Sequence, residues 1–487
     1  MFIYKPLLVV CAFSLWGCSS ISLTPADALS SIAADVQQKH ESVAQLDLDL
    51  NKQERRVRID ELLREPLQPA HAMELLLINS PQVRAELAGL GIAQAQQLQA
   101  GLVGNPVFAL GALRPEGGGR WQLDAGISQS LLDLFTRPLR TRLAEAELVA
   151  AQLELAEHLN HQLDNVQQLY YQALAARQLH QLQSAQHQSA EANYSLALSL
   201  YDAGNIPERG LLQYQLEVQA QARQLNRTKV SAQKSRIALV GILGLAADTE
   251  IKLPESLPTL PADENFSSAS LYQHALTQRS DLLLVRAQLN TAQRNLALQQ
   301  KTGGFTHLEL GANLERETDG STMTGPEIAF SLPIFDRGYA RRYGAAAAIT
   351  RAHELVKAKE IEIATEIENA LLTLTSARAT AEQIQTQSLP LQRKVQALKL
   401  REYNYMLGSA FDLIKLKQQE FALHAEFINA ALTYWLARSE LGLASGQSLS
   451  PVHSKELELA VPQTDHSQTN HSQSGDHSIH HHGGHHD

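Results

Sequence analysis

Two stretches of this chain carry the same short signatures in the same order, and that duplication constrains the fold more than any other feature. Asn79-Ser80-Pro81 is answered by Arg279-Ser280-Asp281, and Leu110-Gly111-Ala112 by Leu310-Gly311-Ala312. Phe135-Thr136-Arg137 is answered by Phe335-Asp336-Arg337, and Arg142 by Arg342, all at a spacing of 200 positions. One such match would mean little, but four in one register indicate a repeated unit. Further on, Tyr201-Asp202-Ala203-Gly204 answers Tyr405-Met406-Leu407-Gly408 at a spacing of 204, so a few residues were gained or lost between them.

Each unit follows one plan. A helix comes first, over roughly 71–101 and again over 268–301. A pair of short alternating segments follows. A very long helical stretch then runs to a Tyr-x-x-Gly site, and a second long stretch returns from it. The spacing predicts a first repeat over 71–252 and a second over 265–450. Between them, 253–264 begins Leu-Pro-Glu-Ser-Leu-Pro-Thr-Leu-Pro, a Pro-rich linker that cannot continue a helix. Residues 18–70 read as a partly extended N-terminal arm.

In 138–203 the residues Leu139, Leu143, Ala146, Val149, Leu153, Ala156, Leu159, Leu163, Val166, Leu169 and Ala173 recur every three or four positions. The mean step of about 3.4 is close to the 3.5 of a coiled coil. Leu148, Leu155, Tyr170 and Leu174 form a second stripe to one side, so this helix packs against neighbours on both sides, as in the wall of a ring. At 1.5 Å per residue the stretch reaches on the order of 100 Å. Its counterpart, 339–403, contains Pro390, which should kink or break it. Gly204 and Gly408 are turn residues between antiparallel helices. Each either serves the hairpin alone or, with Asn205 and Ser409, presents a tip to a partner.

The exceptions to helical periodicity are four segments. In 121–131, Trp121, Leu123, Ala125, Ile127 and Leu131 share one face, while Gln122, Asp124, Gly126, Ser128 and Ser130 share the other. In 307–315, Leu308, Leu310, Ala312 and Leu314 oppose His307, Glu309, Gly311, Asn313 and Glu315; Ile328, Phe330 and Leu332 alternate in the next segment, and 107–113 is evenly apolar. Strands that are apolar on one face and polar on the other fit a membrane β-barrel with a watery lumen. They also fit a small soluble sheet with one face on helices. A sheet in lipid must close, because each unsatisfied backbone group costs several kcal/mol. The smallest barrels need about eight strands, so four must be shared among subunits, and three copies would give twelve. The expected fold class is therefore mainly α with a small β part. A duplicated unit of long antiparallel coiled-coil helices plus a β-hairpin would contribute four strands per chain to a 12-stranded barrel in a homotrimer.

The first seventeen residues read as a signal peptide. Lys5 gives a positive start, and Leu7 to Trp16 a short apolar core. It ends in Leu15-Trp16-Gly17-Cys18-Ser19, which resembles a bacterial lipobox in which Cys18 becomes the lipidated first residue. Removal of Cys11 and acylation of Cys18 would leave no thiol for catalysis, disulfides or metal. The formal charge of -10 argues against nucleic acid as a partner. There is no Gly-x-Ser-x-Gly elbow, phosphate loop or His-Glu-x-x-His pair, so the chain does not read as an enzyme and requires no cofactor.

With these residues together, the chain resembles the TolC-like outer-membrane efflux family, in its lipoprotein, heavy-metal branch. The resemblance rests on the lipobox at Cys18, the duplicated plan, the paired openings at 79–81 and 279–281, the run Ser331-Leu332-Pro333-Ile334-Phe335-Asp336-Arg337, and the two Gly turns. It covers roughly 70–450. It implies a homotrimer with an outer-membrane pore, a periplasmic tunnel and a periplasmic tip at Gly204, Asn205, Gly408 and Ser409. That tip would meet a periplasmic adaptor, which would link it to a proton-driven inner-membrane pump of the RND type. Family tips usually show Gly followed by Leu, which Gly204-Asn205 and Gly408-Ser409 lack. Members can carry acidic rings near the tip, a role open to Glu208 and Asp412; either is equally an acid stabilising a helix N-terminus.

Residues 451–487 read as a disordered tail with His466, His471, His477, His480, His481, His482, His485 and His486. Clustered imidazoles bind Cu, Zn or Ni with little selectivity when the chain fixes no geometry. The function that fits best is a passive conduit for heavy-metal cations (copper and silver, or zinc, cobalt and cadmium). A conduit for drugs or other organic molecules is the alternative. A periplasmic adaptor lipoprotein, with one hairpin between β-rich halves, fits the duplication less well, and a coiled-coil scaffold would not need the strands.

Overall fold

The computed structural model describes residues 51–261, 265–302, 304, 306–447 and 449. The first unit contains α1 (Lys52–Leu62), α2 (Pro69–Asn79), α3 (Pro81–Gly101), β1 (Val107–Leu113), β2 (Gln122–Ser130), α4 (Leu131–Asp202) and α5 (Glu208–Ile242). The second contains α6 (Ser268–Gln278), α7 (Ser280–Thr302), β3 (Leu308–Arg316), β4 (Thr322–Phe330), α8 (Tyr339–Gln383), α9 (Leu389–Asn404) and α10 (Ala410–Ser445). α1 starts with a capping box, in which the Asn51 side chain accepts from the Glu54 amide and Glu54 reaches back to the Asn51 amide.

Both units break their first helix at one residue. Ser80 (φ −62°, ψ 124°) separates α2 from α3, and Arg279 (φ −68°, ψ 122°) separates α6 from α7. Pro81 forces the first break, because its ring disfavours helical ψ in the residue before it. Neither 71–101 nor 268–301 is thus one continuous helix. The two breaks stand 199 residues apart, one short of the register of the sequence signatures.

α4 has 72 residues, which at 1.5 Å per residue is about 108 Å. Ala156, Leu159, Leu163, Val166 and Ala173 of the first apolar stripe are buried, as are Leu155, Tyr170 and Leu174 of the second, whereas Val149 is exposed. α4 packs on α5 and also on α3, α7 and α10, which is why it needs two seams. Pro390 neither breaks nor ends the long helical path that runs out to the second turn. Between α8 and α9, Ile384–Ser388 forms a single π-helical segment, and the path stays helical. A π-turn absorbs the missing amide hydrogen within a continuous helix.

The core lies where the two units meet. Trp435, Tyr170, Tyr171 and Tyr434 are its largest fully buried side chains. Tyr171 stacks on Trp435 with centroids 5.1 Å apart, and Tyr170 Oη donates to Leu67 O at 2.9 Å. The Pro-rich connection is tied to this core: Arg177 Nη1 donates to Leu253 O at 2.7 Å, and Trp435 Nε1 to Pro258 O at 3.1 Å. Arg279 is buried there too. Its guanidinium donates to both oxygens of Asp281, to Glu366 and to Ala444 O. Among the described residues no helix is long and apolar enough to cross a membrane.

Candidate functional site

The four strands form one sheet in the order β1-β2-β3-β4, antiparallel throughout. The register sorts the side chains. Phe108, Ile127, Ala312 and Pro326 lie in one row; Leu110, Ala125, Leu314 and Thr324 lie in another on the same side. That face is apolar, and among the described residues none covers it: Leu110 is 72% exposed, Ile127 51% and Ile328 63%. The soluble-sheet alternative requires helices on this face, and the described residues place none there. Nine residues at about 3.3 Å each, tilted as in a barrel, span about 20–25 Å, the height of an outer-membrane apolar band. Aromatic side chains mark both ends. At the loop end Trp121 lies 5.7 Å beneath the Arg114 guanidinium. At the helical end Phe108, Phe330, Phe335 and Tyr339 are exposed.

The opposite face is polar and carries Asp124, Glu309, Glu315 and Glu327. Gln122 Nε2 donates to Glu315 at 2.5 Å, Ser128 Oγ to Glu309 at 3.1 Å, and Asn313 Nδ2 to Glu327 at 2.5 Å. Gly126 makes room for this row, since a Cβ there would come within 2.5 Å of Asn313 Oδ1. The polar positions of 121–131 and 307–315 were legible in the sequence. Glu327 was not, because Pro326 and Gly325 interrupt the alternation beside it.

At the other end of the long helices are two turns. Gly204 has φ +74°. Its amide donates to Tyr201 O and the Asn205 amide to Leu200 O, both at 2.8 Å, a Schellman-type end to α4. In the second turn the same two bonds are made by Met406 to Tyr403 O and Leu407 to Glu402 O, both at 2.9 Å. Met406, not Gly408, holds the left-handed conformation, with φ 58°. The backbone therefore pairs Gly204 with Met406 at a spacing of 202, correcting the match to Gly408. Asn205 then corresponds to Leu407, and Pro207, which precedes α5, to Ser409, whose side chain caps α10. Glu208 corresponds to Ala410, so Glu208 and Asp412 are not equivalent positions. Glu208 is exposed in the first turn of α5. Asp412 is paired with Lys399 Nζ at 3.0 Å, and that hydrogen bond and charge hold its carboxyl below the usual range. Sequence reasoning missed Tyr405, Met406 and Leu407, which are 77, 95 and 77% exposed. It also missed the Tyr214–Phe411 stack, 5.0 Å between centroids, that joins the two hairpins.

Cys18 and the eight tail histidines lie outside the described residues. Among those described, no three His, Cys, Asp or Glu side chains converge as metal ligands. His158 and His161 are exposed and lie near Glu157, and His180 is half-buried beside Thr228.

Residues 72–245 match the model of the outer membrane efflux protein family. The outer membrane protein VceC of Vibrio cholerae superposes with a TM-score of 0.64 at 16% identity, over 78% of this chain and 96% of that one. CusC, whose structures concern transmembrane channel formation, gives 0.64 at 17% identity over 78% and 92%. The Campylobacter jejuni outer membrane channel CmeC gives 0.61 at 18% over 82% and 87%. No curated protein matches the chain. Two hairpins of very long helices joined to an uncovered four-stranded sheet define the class by architecture, a TolC-like fold shared with these outer-membrane proteins. The chain is thus similar to the TolC-like outer membrane efflux family, with the family-model match running from residue 72 to 245.

Proposed function

We propose that three copies of this chain close a twelve-stranded barrel in the outer membrane and form a passive duct that exports heavy-metal cations. The supporting observation is the pair of open sheet edges. β1 and β4 each have one neighbour and run antiparallel to each other, so β4 of one copy suits β1 of the next. An open edge in lipid costs several kcal/mol per unmet backbone group, which favours closure by further copies. The polar face, with four carboxylates and no Lys, Arg or His among its strand positions (Arg316, at the end of β3, lies on the apolar side), favours cationic cargo. The His-rich tail, gathering copper, zinc or nickel in the periplasm, favours metals among cations. Cys18 would anchor the chain through lipid. The exposed tip around Gly204, Asn205, Tyr405, Met406 and Leu407 would meet a periplasmic adaptor, itself joined to a proton-driven pump of the RND type.

Two measurements test this reading. The detergent-solubilised protein should have close to three times the chain mass of 53.5 kDa; a monomeric particle would refute the barrel. A deletion strain should lose tolerance to copper, silver, zinc, cobalt or cadmium. Loss of tolerance to organic compounds alone would shift the cargo to drugs.

A further inference from the structure

The two units meet around a polar cavity that export does not employ. Its volume is about 60 Å³, and it lies between α4 of the first unit and the α7 start and α10 end of the second. Asn160 lines it and is only 8% exposed. Its Nδ2 donates to Ser280 Oγ at 3.0 Å, while its Oδ1 is buried and meets no donor. A buried acceptor without a donor is rare in native proteins and calls for water or an ion.

One turn further along α4 stands Asp164, half-buried in the same wall. It accepts from Ser439 Oγ at 2.5 Å and from Gln168 Nε2 at 2.7 Å. Burial raises its pKa above the ordinary carboxylate range, against the pull of these two hydrogen bonds and of the His161 charge. Glu157 and His161 stand at the mouth, 3.6 Å apart. Residues 157, 160, 161 and 164 are spaced by three and four, so they share one face of α4. Of the two guanidiniums in the wall, Arg279 is committed to Asp281 and Glu366, while Arg438 donates to Leu449 O and lies over the Trp435 ring. The cavity thus brings the Asp164 and Glu157 carboxylates together with an orphaned amide oxygen.

We propose that this cavity holds a hydrated divalent cation of the hard, oxygen-preferring class, with Asp164 and Asn160 Oδ1 as direct ligands and Glu157 acting through water. No three acidic or His side chains converge there, so an all-protein cage is not available. A small hard cation instead keeps several waters and takes one or two protein oxygens. Through Ser280 and Ser439 the ion would brace α4 of one unit against α7 and α10 of the other. This site does not depend on the cargo or on the tail.

The test uses the full chain in detergent and magnesium, which imidazoles bind poorly. Thermal midpoints are compared in 10 mM magnesium chloride and in potassium chloride of equal ionic strength. Magnesium should raise the wild-type midpoint by about 2 °C. Asp164→Asn should abolish the rise, and removal of residues 451–487 should leave it intact. Glu157→Gln, at the solvent-facing mouth where folding is insensitive, should require several-fold more magnesium for the same rise. An equal rise in potassium chloride, no rise at all, or an unaltered response in Glu157→Gln would overturn the site and leave a cavity filled only by water.

Discussion

Replacing Gly204 by alanine isolates a backbone effect, because a Cβ built there meets no atom within 4 Å while φ is +74°. An L-residue in the left-handed region costs roughly 1–2 kcal/mol. Alanine also restricts the unfolded chain, which returns about 0.4–1 kcal/mol. The net loss is about 0.5–1 kcal/mol, equivalent to a two- to fivefold shift in a local opening equilibrium. Met406 presents the same calculation with the sign reversed: φ is 58° and the side chain is 95% exposed, so Met406→Gly relieves strain and removes no packing. Hydrogen exchange at the Asn205 and Leu407 amides reads both turns through their bonds to Leu200 O and Glu402 O. Gly204→Ala should speed exchange at Asn205 about two- to fivefold, and Met406→Gly should slow it at Leu407 by a similar factor. Gly408→Ala is the control, since its φ is not left-handed and its Cβ would make only ordinary contacts at 3.5 Å and beyond. If Gly408→Ala loosened its turn as much as Gly204→Ala does, the pairing of Gly204 with Met406 would be wrong.

Trp435→Ala should cost about 3–5 kcal/mol, read as a fall in thermal midpoint, because it empties the centre of the core and unstacks Tyr171. His424 is 3% exposed. Burial lowers its pKa; Arg393 and Lys417 act the same way, and Glu420 opposes them. A folded pKa below the unfolded value of about 6.5 gives stability that is present above that pH and lost as pH falls through the folded value. Midpoints measured from pH 7.5 to 5 should therefore decline in the wild type and flatten in His424→Gln. In planar bilayers, converting Glu309, Glu315 and Glu327 together to Gln should lower the preference for potassium over chloride several-fold; unchanged selectivity would show that the sheet's polar face does not set it.

The duplicated plan, the long helices and the four strands were legible in residue order because each rests on a local rule. α4 must present an apolar residue every three or four positions to stay packed along its length, and the strands must alternate to part lipid from water. Gly204 was legible for the same reason, since glycine is the default for positive φ. Met406 was not: no sequence rule places methionine in the left-handed region, and only the closing bonds of the second hairpin hold it there. The π-turn before Pro390 likewise depends on α8 and α9 staying packed against α10. Arg279 read as part of a repeat signature, yet its burial arises only when Asp281, Glu366 and the end of α10 converge on it. Asn160 and Asp164 carry no signal in the sequence, and their cavity exists only where the second unit packs over them. Periodicity and turn chemistry act over a few residues and are written in order along the chain. Which charges are desolvated together, and which strand edges stay open, depends on segments a hundred or more residues apart, and only folding brings those together.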